Sequence, residues 1–413
     1  MKILLINHFP LEGSGSGTYT RNIAQYLVKR GHQVCVVFPE TDIQGPLADI
    51  KLHPVYFTQD QESRTGLAPK EILVNALPFN FPCFTTHPRS LRTFGDLDDT
   101  ELKQYLDAFK TALIEECESF KPDLIHGQHI WCLSWLAAGL GIPSVITAHG
   151  TDLMGYDKWP QFRKYAEEAV EKCSRILAIS RDNMQAALER FPQAEGKITL
   201  LSNGYNEDVF YREMVNKEGT LEQNGVPYKG EKLVLFAGKL TAFKGVDTLL
   251  RAVKLYEEQQ PGKIITMIAG SGQEEKMLKE LQQTLQLKSL YFLGHKNQAE
   301  LRKLYNMADV FAMPSRKEPF GLVALEAMAC GLPVVASNEG GLPEFVNEKV
   351  GALVPADDPS VLCTAILNEL DRSEADPKRK DLISEYARSD YTQSQFIIKL
   401  EKIYEELLTE HSK

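Results

Sequence analysis

The stretch EPFGLVALEAMACG, residues 318–331, sets Glu318 directly before Pro319 and places Glu326 eight positions later among Leu322, Val323, Leu325 and Met328. A residue preceding proline is held out of the α region, so a helix is expected to begin near Phe320. Glu326 then lies a turn and a half inside, ~9 Å along the axis. The free N–H groups at such a helix start favour an anion. Two carboxylates flanking that point would repel a phosphate, but they suit hydroxyl groups on either side of it. Hydroxyls, diphosphate and more hydroxyls are the layout of a nucleoside diphosphate sugar. The plainer reading is a solvated helix with incidental acids. Against it stands the apolar company that Glu326 keeps.

Other polar clusters could serve the same ligand. GKLTAFKG carries Lys239 and Lys244, two cations for a diphosphate or two solvated loop lysines. GSGSG, Gly13–Gly17, includes Gly15, Ser16 and Gly17; it reads as a backbone cradle at a helix start or as a plain tight turn. TAHGTD ends an apolar run with His149, and its Asp152 suits either a ligand contact or a helix cap. LIHGQHIW holds His126 and His129, readable as acceptor contacts or as satisfied, partly buried histidines. Ser180 and Asn203 end similar runs, where caps and turns explain them equally well. The AGSG loop (Gly270, Gly272), the FLGHK loop (Gly294 to Lys296) and the pair Gly340 and Gly341 allow close backbone approach.

These residues need a frame that presents them together. Short β-branched runs such as KILLIN, QVCVVF, SVITAHG, KLVLFAGK, KIITMIAGSG and PVVASNEGG alternate with amphipathic segments. Near-continuous apolar strands between helices predict an α/β, doubly wound parallel fold with ligands at the strand carboxyl ends. The length of 413 residues predicts two Rossmann-like domains, 1–206 and 207–390, with the polar stretch 211–232 as the boundary region. Residues 51–100 break the alternation, and their Pro- and Phe-rich part reads as an irregular wall on the acceptor side. YDKWPQFRKY, 156–165, suggests an amphipathic helix start or a surface for acceptor or membrane. A net charge of −10 argues against nucleic acid. Seven scattered cysteines without metal-ligand spacing fit free thiols in a cytoplasmic protein, and no carboxylate pair suggests a metal. The opening MKILLINHFP is too short an apolar run for a signal peptide, and no stretch is long enough to span a bilayer.

EPFGLVALEAMACGLPVVASNEGGLPE resembles the E-x7-E signature of family 4 glycosyltransferases, and TAHGTD, LAIS, LSNGYN, FAGKLTAFKG and AGSGQE extend the likeness over nearly the whole chain. The resemblance implies the GT-B fold, two facing Rossmann-like domains about a cleft, with 391–413 crossing back onto the first. It implies transfer of a hexose or N-acetylhexosamine, with retention, from a nucleoside diphosphate sugar to an acceptor hydroxyl; UDP is expected from its frequency in the family. Carried over, Glu326 resembles the ribose carboxylate and Glu318 the acid at the hexose. The backbone of Pro319, Phe320, Gly321 and Leu322 would surround sugar and phosphate. Lys239 and Lys244 resemble the diphosphate cations, the first commonly an arginine whose bidentate fork a lysine lacks. His149 resembles the histidine beside the anomeric carbon. Gly270 and Gly294 would line the nucleotide. No metal or other cofactor is implied, and membrane contact and oligomeric state stay open. HGTD is also similar to transferases that place N-acetylglucosamine on malate. A sugar-nucleotide epimerase and a non-enzymatic sensor are the competing readings.

Overall fold

A computed structural model describes residues 1–42, 45, 47–59, 76–85 and 87–411. The chain divides into two compact units, Met1–Leu201 with Ile397–Lys413, and Ser202–Phe396. The boundary falls before 206/207 because residue 205 is tied into the second unit. Tyr205 N–H donates to the Tyr391 carbonyl at 2.8 Å, and its own carbonyl accepts from Gln393. The polar stretch 211–232 is likewise held by the second unit rather than linking the two. Lys217 pairs with Asp309 at 3.2 Å, and Arg302 donates to Glu213 at 2.8 Å.

The first unit carries β1 (Lys2–Ile6), β2 (Gln33–Glu40), β3 (Ile50–Tyr56), β4 (Leu124–Gln128), β5 (Ser144–Ala148), β6 (Arg175–Ala178) and β7 (Ile198–Leu200), in spatial order β3-β2-β1-β4-β5-β6-β7. The second carries β8 (Lys232–Ala237), β9 (Ile264–Ala269), β10 (Leu290–Gly294), β11 (Val310–Met313), β12 (Val334–Ser337) and β13 (Gly351–Val354), in order β10-β9-β8-β11-β12-β13. Every strand pairing within these sheets is parallel. Helices cover both, so the strands are apolar throughout: Ile3, Leu4 and Leu5, like Leu233, Val234 and Leu235, are fully buried. This is the doubly wound arrangement expected, once in each unit.

β3 was not legible as a strand. IKLHPVY alternates charge and proline with apolar residues, and it is tolerated because β3 is the sheet edge, where Pro54 withholds no needed ladder donor. The phenylalanines that follow are buried: Phe79, Phe81, Phe84 and Phe94 lie in the first core with Tyr105, Phe109 and Trp131. YDKWPQFRKY spans the end of one helix, Thr151–Lys158, and the start of the next, Arg163–Lys172, which agrees with its helix-start reading. Trp159, Phe162 and Tyr165 are buried, so its aromatic character serves the core rather than a surface.

The last helix, Gln393–His411, packs against the first sheet from Ile397 onward. Tyr404 is fully buried there and shares a 2.6 Å hydrogen bond with His126 Nδ1, while Glu401 receives Arg30 and His32. No helix among the described residues is long and apolar enough to cross a membrane.

Candidate active site

Where strand order reverses in an open parallel sheet, the loops leave in opposite directions and open a crevice at the carboxyl ends. In the second unit this point lies between β8 and β11. The loops leaving these strands are residues 238–245 and 314–321, the two stretches whose lysines and glutamate drew attention in the sequence.

Local sequence explains how the loops meet. The short helix Ala242–Lys244 is followed by Gly245 at φ 60°, where a Cβ would fall 2.0 Å from the Pro314 carbonyl oxygen. Only glycine lets one loop lie this close to the other. Arg316 binds them from the opposite side. Its Nη1 donates to the Ala242 carbonyl at 2.7 Å and to Asp247 at 2.8 Å, its Nε donates to Asp357 at 2.6 Å, and its backbone N–H donates to the Phe243 carbonyl at 2.7 Å. Lys244 Nζ thereby reaches Glu318 Oε2 at 2.5 Å, and the Ser315 hydroxyl donates to the same oxygen at 3.3 Å. Lys239 lies partly exposed on the same loop as Lys244.

The helix after this loop is Leu322–Ala329, so it begins two residues later than expected. Gly321 caps it at φ 103°, with Leu342 Cδ2 2.6 Å from where a Cβ would stand. That left-handed turn delays the first helical residue. Phe320 is buried against Phe345, ring centroids 5.3 Å apart, and leaves only its backbone for a ligand. Glu326 is buried at 8 % exposure on the second turn, and its carboxyl has no hydrogen-bond or ionic partner among the described residues. Burial without a cation pushes this carboxyl up to about 8.

The glycine loops around this point are close-packed on backbone. A Cβ on Gly270 would meet the Gly238 carbonyl at 1.8 Å, and one on Gly272 the Leu240 carbonyl at 2.2 Å. Gly270 N–H donates to the Gly294 carbonyl at 2.8 Å. The loops after β8, β9 and β10 therefore rest on one another, and Gly270 and Gly272 are needed for that contact. Gly294, at φ 70°, faces open space. Gly340 and Gly341 press on the backbone of residues 318–320, which steadies Pro319 and Glu318.

In the first unit the reversal lies between β1 and β4, and its chemistry is different. The helix Gly15–Lys29 starts here, with the Ser14 hydroxyl accepting from Gly17 N–H at 3.0 Å. Gly17 is required because a Cβ would meet the Pro10 carbonyl at 2.0 Å, whereas Gly15 faces open space. Ser16 Oγ is buried without a partner among the described residues.

His8, His129 and His149 gather beyond the strand ends. The ring centroids of His129 lie 5.7 Å from those of His8 and 4.7 Å from those of His149. Loss of solvation lowers His8 and His149 to about 3 and His129 well below its ordinary value, so all three are neutral. His149 Nε2 meets Gln128 Oε1 at 2.8 Å, and the Tyr19 ring stands edge-on at 5.0 Å. His129 Nδ1 is buried without a partner among the described residues, and its backbone is left-handed at φ 76°, an uncommon conformation for a side-chain-bearing residue.

Two candidates leave the set here. His126 is fully buried with both nitrogens engaged, Nδ1 by Tyr404 and Nε2 by Thr147 at 2.7 Å, so it anchors the last helix and cannot touch an acceptor. Asp152 is fully buried, and its oxygens accept from the backbone N–H groups of Ile130 at 2.8 Å and His149 at 3.2 Å. It pins the loops after β4 and β5 to each other. Ser180 caps the helix Arg181–Arg190, as its cap reading anticipated.

Arg316, Gly245, Gln128 and His8 are site elements that sequence reasoning passed over. Arg316 stands two residues before Glu318 and Gly245 closes the quoted lysine motif, so both were in view; their partners were not.

Comparison with known proteins follows the same division. The description Glycosyltransferase Family 4 matches residues 13–209, and Glycosyl transferases group 1 matches residues 218–390. A D-inositol 3-phosphate glycosyltransferase of Corynebacterium jeikeium is 30% identical over 96% of this chain and 94% of its own length. In fold, the chain is similar to sucrose-phosphate synthase of Thermosynechococcus elongatus, with a TM-score of 0.74 at 23% identity over 99% of both chains. It is similar also to the Anabaena protein HepE crystallised with UDP-glucose, with a TM-score of 0.66 at 20% identity over 99% of this chain and 100% of that one. A full-length relative at this identity, with family matches running through both units, shows that the chain belongs to glycosyltransferase family 4 and is a glycosyltransferase.

Proposed function

We propose that the protein transfers a hexose or N-acetylhexosamine from a nucleoside diphosphate sugar to an acceptor hydroxyl with retention at the anomeric carbon. One observation carries the reading. Lys244 and Glu318 stand in contact where strand order reverses in the second unit, beside a helix start and the unpaired carboxyl of Glu326.

In this reading the ribose hydroxyls donate to Glu326, which supplies the buried carboxyl with the partners it lacks. The diphosphate takes Lys244 from Glu318, and Lys239 adds a second positive charge. Glu318, released, accepts from hexose hydroxyls. The N–H groups of residues 319–322 complete the anion site. As the C1–O bond to the leaving phosphate breaks, negative charge grows on that phosphate, and pre-placed ammonium groups stabilise it. The acceptor oxygen bonds to C1 on the same face, and its proton passes to the departing phosphate oxygen. His149 is assigned a contact with the sugar, and His129 one with the acceptor. Charge neutralisation is assigned to the lysines, so no metal is required.

UDP is the first nucleotide to test, since HepE was crystallised with UDP-glucose. D-inositol 3-phosphate is the first acceptor, from the name of the full-length relative. The test is a donor panel screened by thermal shift, followed by transfer assays and proton NMR of the product anomer. The reading expects a nucleotide sugar to stabilise the protein and the product to keep the donor's configuration. An inverted product, or isomerised nucleotide sugar without acceptor, overturns it.

A further inference from the structure

Arg316 stands in the loop after β11, beside the charged crevice of the second unit, yet it has nothing to offer an anion. A guanidinium carries five N–H donors in a fixed fork. In Arg316 every one is engaged within the chain. Nε donates to Asp357 at 2.6 Å, and Nη1 to the Ala242 carbonyl at 2.7 Å and to Asp247 at 2.8 Å. Nη2 donates to the other Asp247 oxygen at 2.8 Å and to the Thr248 hydroxyl at 3.3 Å. Two carboxylates offset its charge, that of Asp247 through a bidentate pair.

What the residue holds is specific. Its side-chain bond to Ala242, with the 2.7 Å bond from its backbone N–H to Phe243, fastens the two carbonyls that directly precede Lys244. Asp357 comes from the loop after β13 with its backbone at φ 58°, a region seldom taken by residues other than glycine, and it also accepts from the Thr248 hydroxyl at 3.2 Å. The loops after β8, β11 and β13 are thus tied together at the turn that carries Lys244.

We infer that Arg316 is a positioning residue for sugar transfer: it binds no diphosphate itself and fixes the turn at residues 242–244, so that the Lys244 ammonium stays in place for the leaving phosphate. This rests on the proposed role of Lys244 and separates the cation that meets the diphosphate from the cation that aims it. A lysine at 316 keeps the charge, but its single nitrogen cannot span Ala242, Asp247 and Asp357 together.

Two measurements on the full chain test this. The first needs no ligand. The melting temperatures of Lys244→Met, Glu318→Gln and the double variant give the coupling of that pair. The shifts should be non-additive by about 1–2 °C with Arg316 present and additive in Arg316→Lys. The second is calorimetry with UDP. Lys244→Ala should weaken UDP binding at least about tenfold with Arg316 present and less than about twofold in Arg316→Lys. Asp357→Asn removes one bond at an exposed carboxylate, so in that background the factor should fall between the two. If Arg316→Lys only lowers the melting point, with the coupling and the UDP factor unchanged, Arg316 is merely structural and the inference is overturned. If the coupling depends on Arg316 but Lys244→Ala leaves UDP binding and transfer intact, the role of Lys244 is refuted and the clamp serves the fold alone.

Discussion

The carboxyl ends of the two sheets have the same strand reversal and opposite chemistry. At β8 and β11 the side chains are charged and held by charge: Lys244 on Glu318, and Arg316 between Asp247 and Asp357. At β1, β4 and β5 they are neutral: His8, His129 and His149, with Gln128, under a roof of phenylalanines. The carboxylate of Asp152 is consumed by backbone N–H groups. A crevice of ammonium and carboxylate groups suits a ligand that is itself a diphosphate between hydroxyls. A neutral crevice of imidazole and amide groups suits hydrogen bonds to hydroxyls. The same fold thus supplies two sites whose selectivity comes from side chains rather than topology.

The contrast can be broken most forcefully at Lys244. Lys244→Ala should lower kcat by about 10²–10³, because its charge acts as the phosphate leaves. An alanine variant with unimpaired turnover would remove the charged crevice from the chemistry. His149→Ala, on the neutral side, should cost only about tenfold, mostly in donor KM. A larger loss there would reverse the ranking of the two ends.

Glu318→Gln separates the two jobs of one residue. Without the carboxylate, Lys244 is no longer paired in the ligand-free protein, so UDP alone should bind about threefold to tenfold tighter, while sugar transfer falls. Calorimetry showing weaker UDP binding in this variant would contradict the pairing as a competitor of the ligand.

The smallest effect concerns stability. The Glu326 carboxyl is raised from 4.5 to about 8 by burial, so the folded state keeps a proton that the unfolded state gives up. The stability this group contributes is fully present below pH 4.5 and is lost progressively as pH rises to about 8. Glu326→Gln should therefore melt with the wild type at pH 4 and above it at pH 8, by a few degrees. Parallel melting curves across that range would show that Glu326 is not buried uncharged. The same variant should raise the donor KM, since ribose hydroxyls that donate to the Glu326 carboxyl favour its ionised form, which accepts them more strongly than an amide does.

Much of this was readable from the chain because it is local. Runs such as KLVLFAGK and KIITMIAGSG announce buried parallel strands, and small residues at their ends announce loops that approach closely. β3 escaped because an edge strand need be neither continuous nor free of proline. The partners of Gly270 and Gly272 were hidden for a related reason. A glycine reveals that something comes close, but only the fold reveals that it is the Gly238 and Leu240 backbone. Buried polar residues were the least legible. Asp152 and His126 look like ligand contacts in sequence, and what removes them is a pair of amides and the Tyr404 hydroxyl, the latter 278 positions away. The contact of Lys244 with Glu318 spans 74 positions and depends on Gly245 and Arg316, neither of which carries a motif of its own.

Isothermal titration of UDP into the wild type, Lys244→Ala and Glu318→Gln tests the charged crevice most directly. The account predicts one site per chain, weakened at least about tenfold by Lys244→Ala and strengthened by Glu318→Gln. Equal affinity in all three proteins would place the diphosphate elsewhere and contradict it.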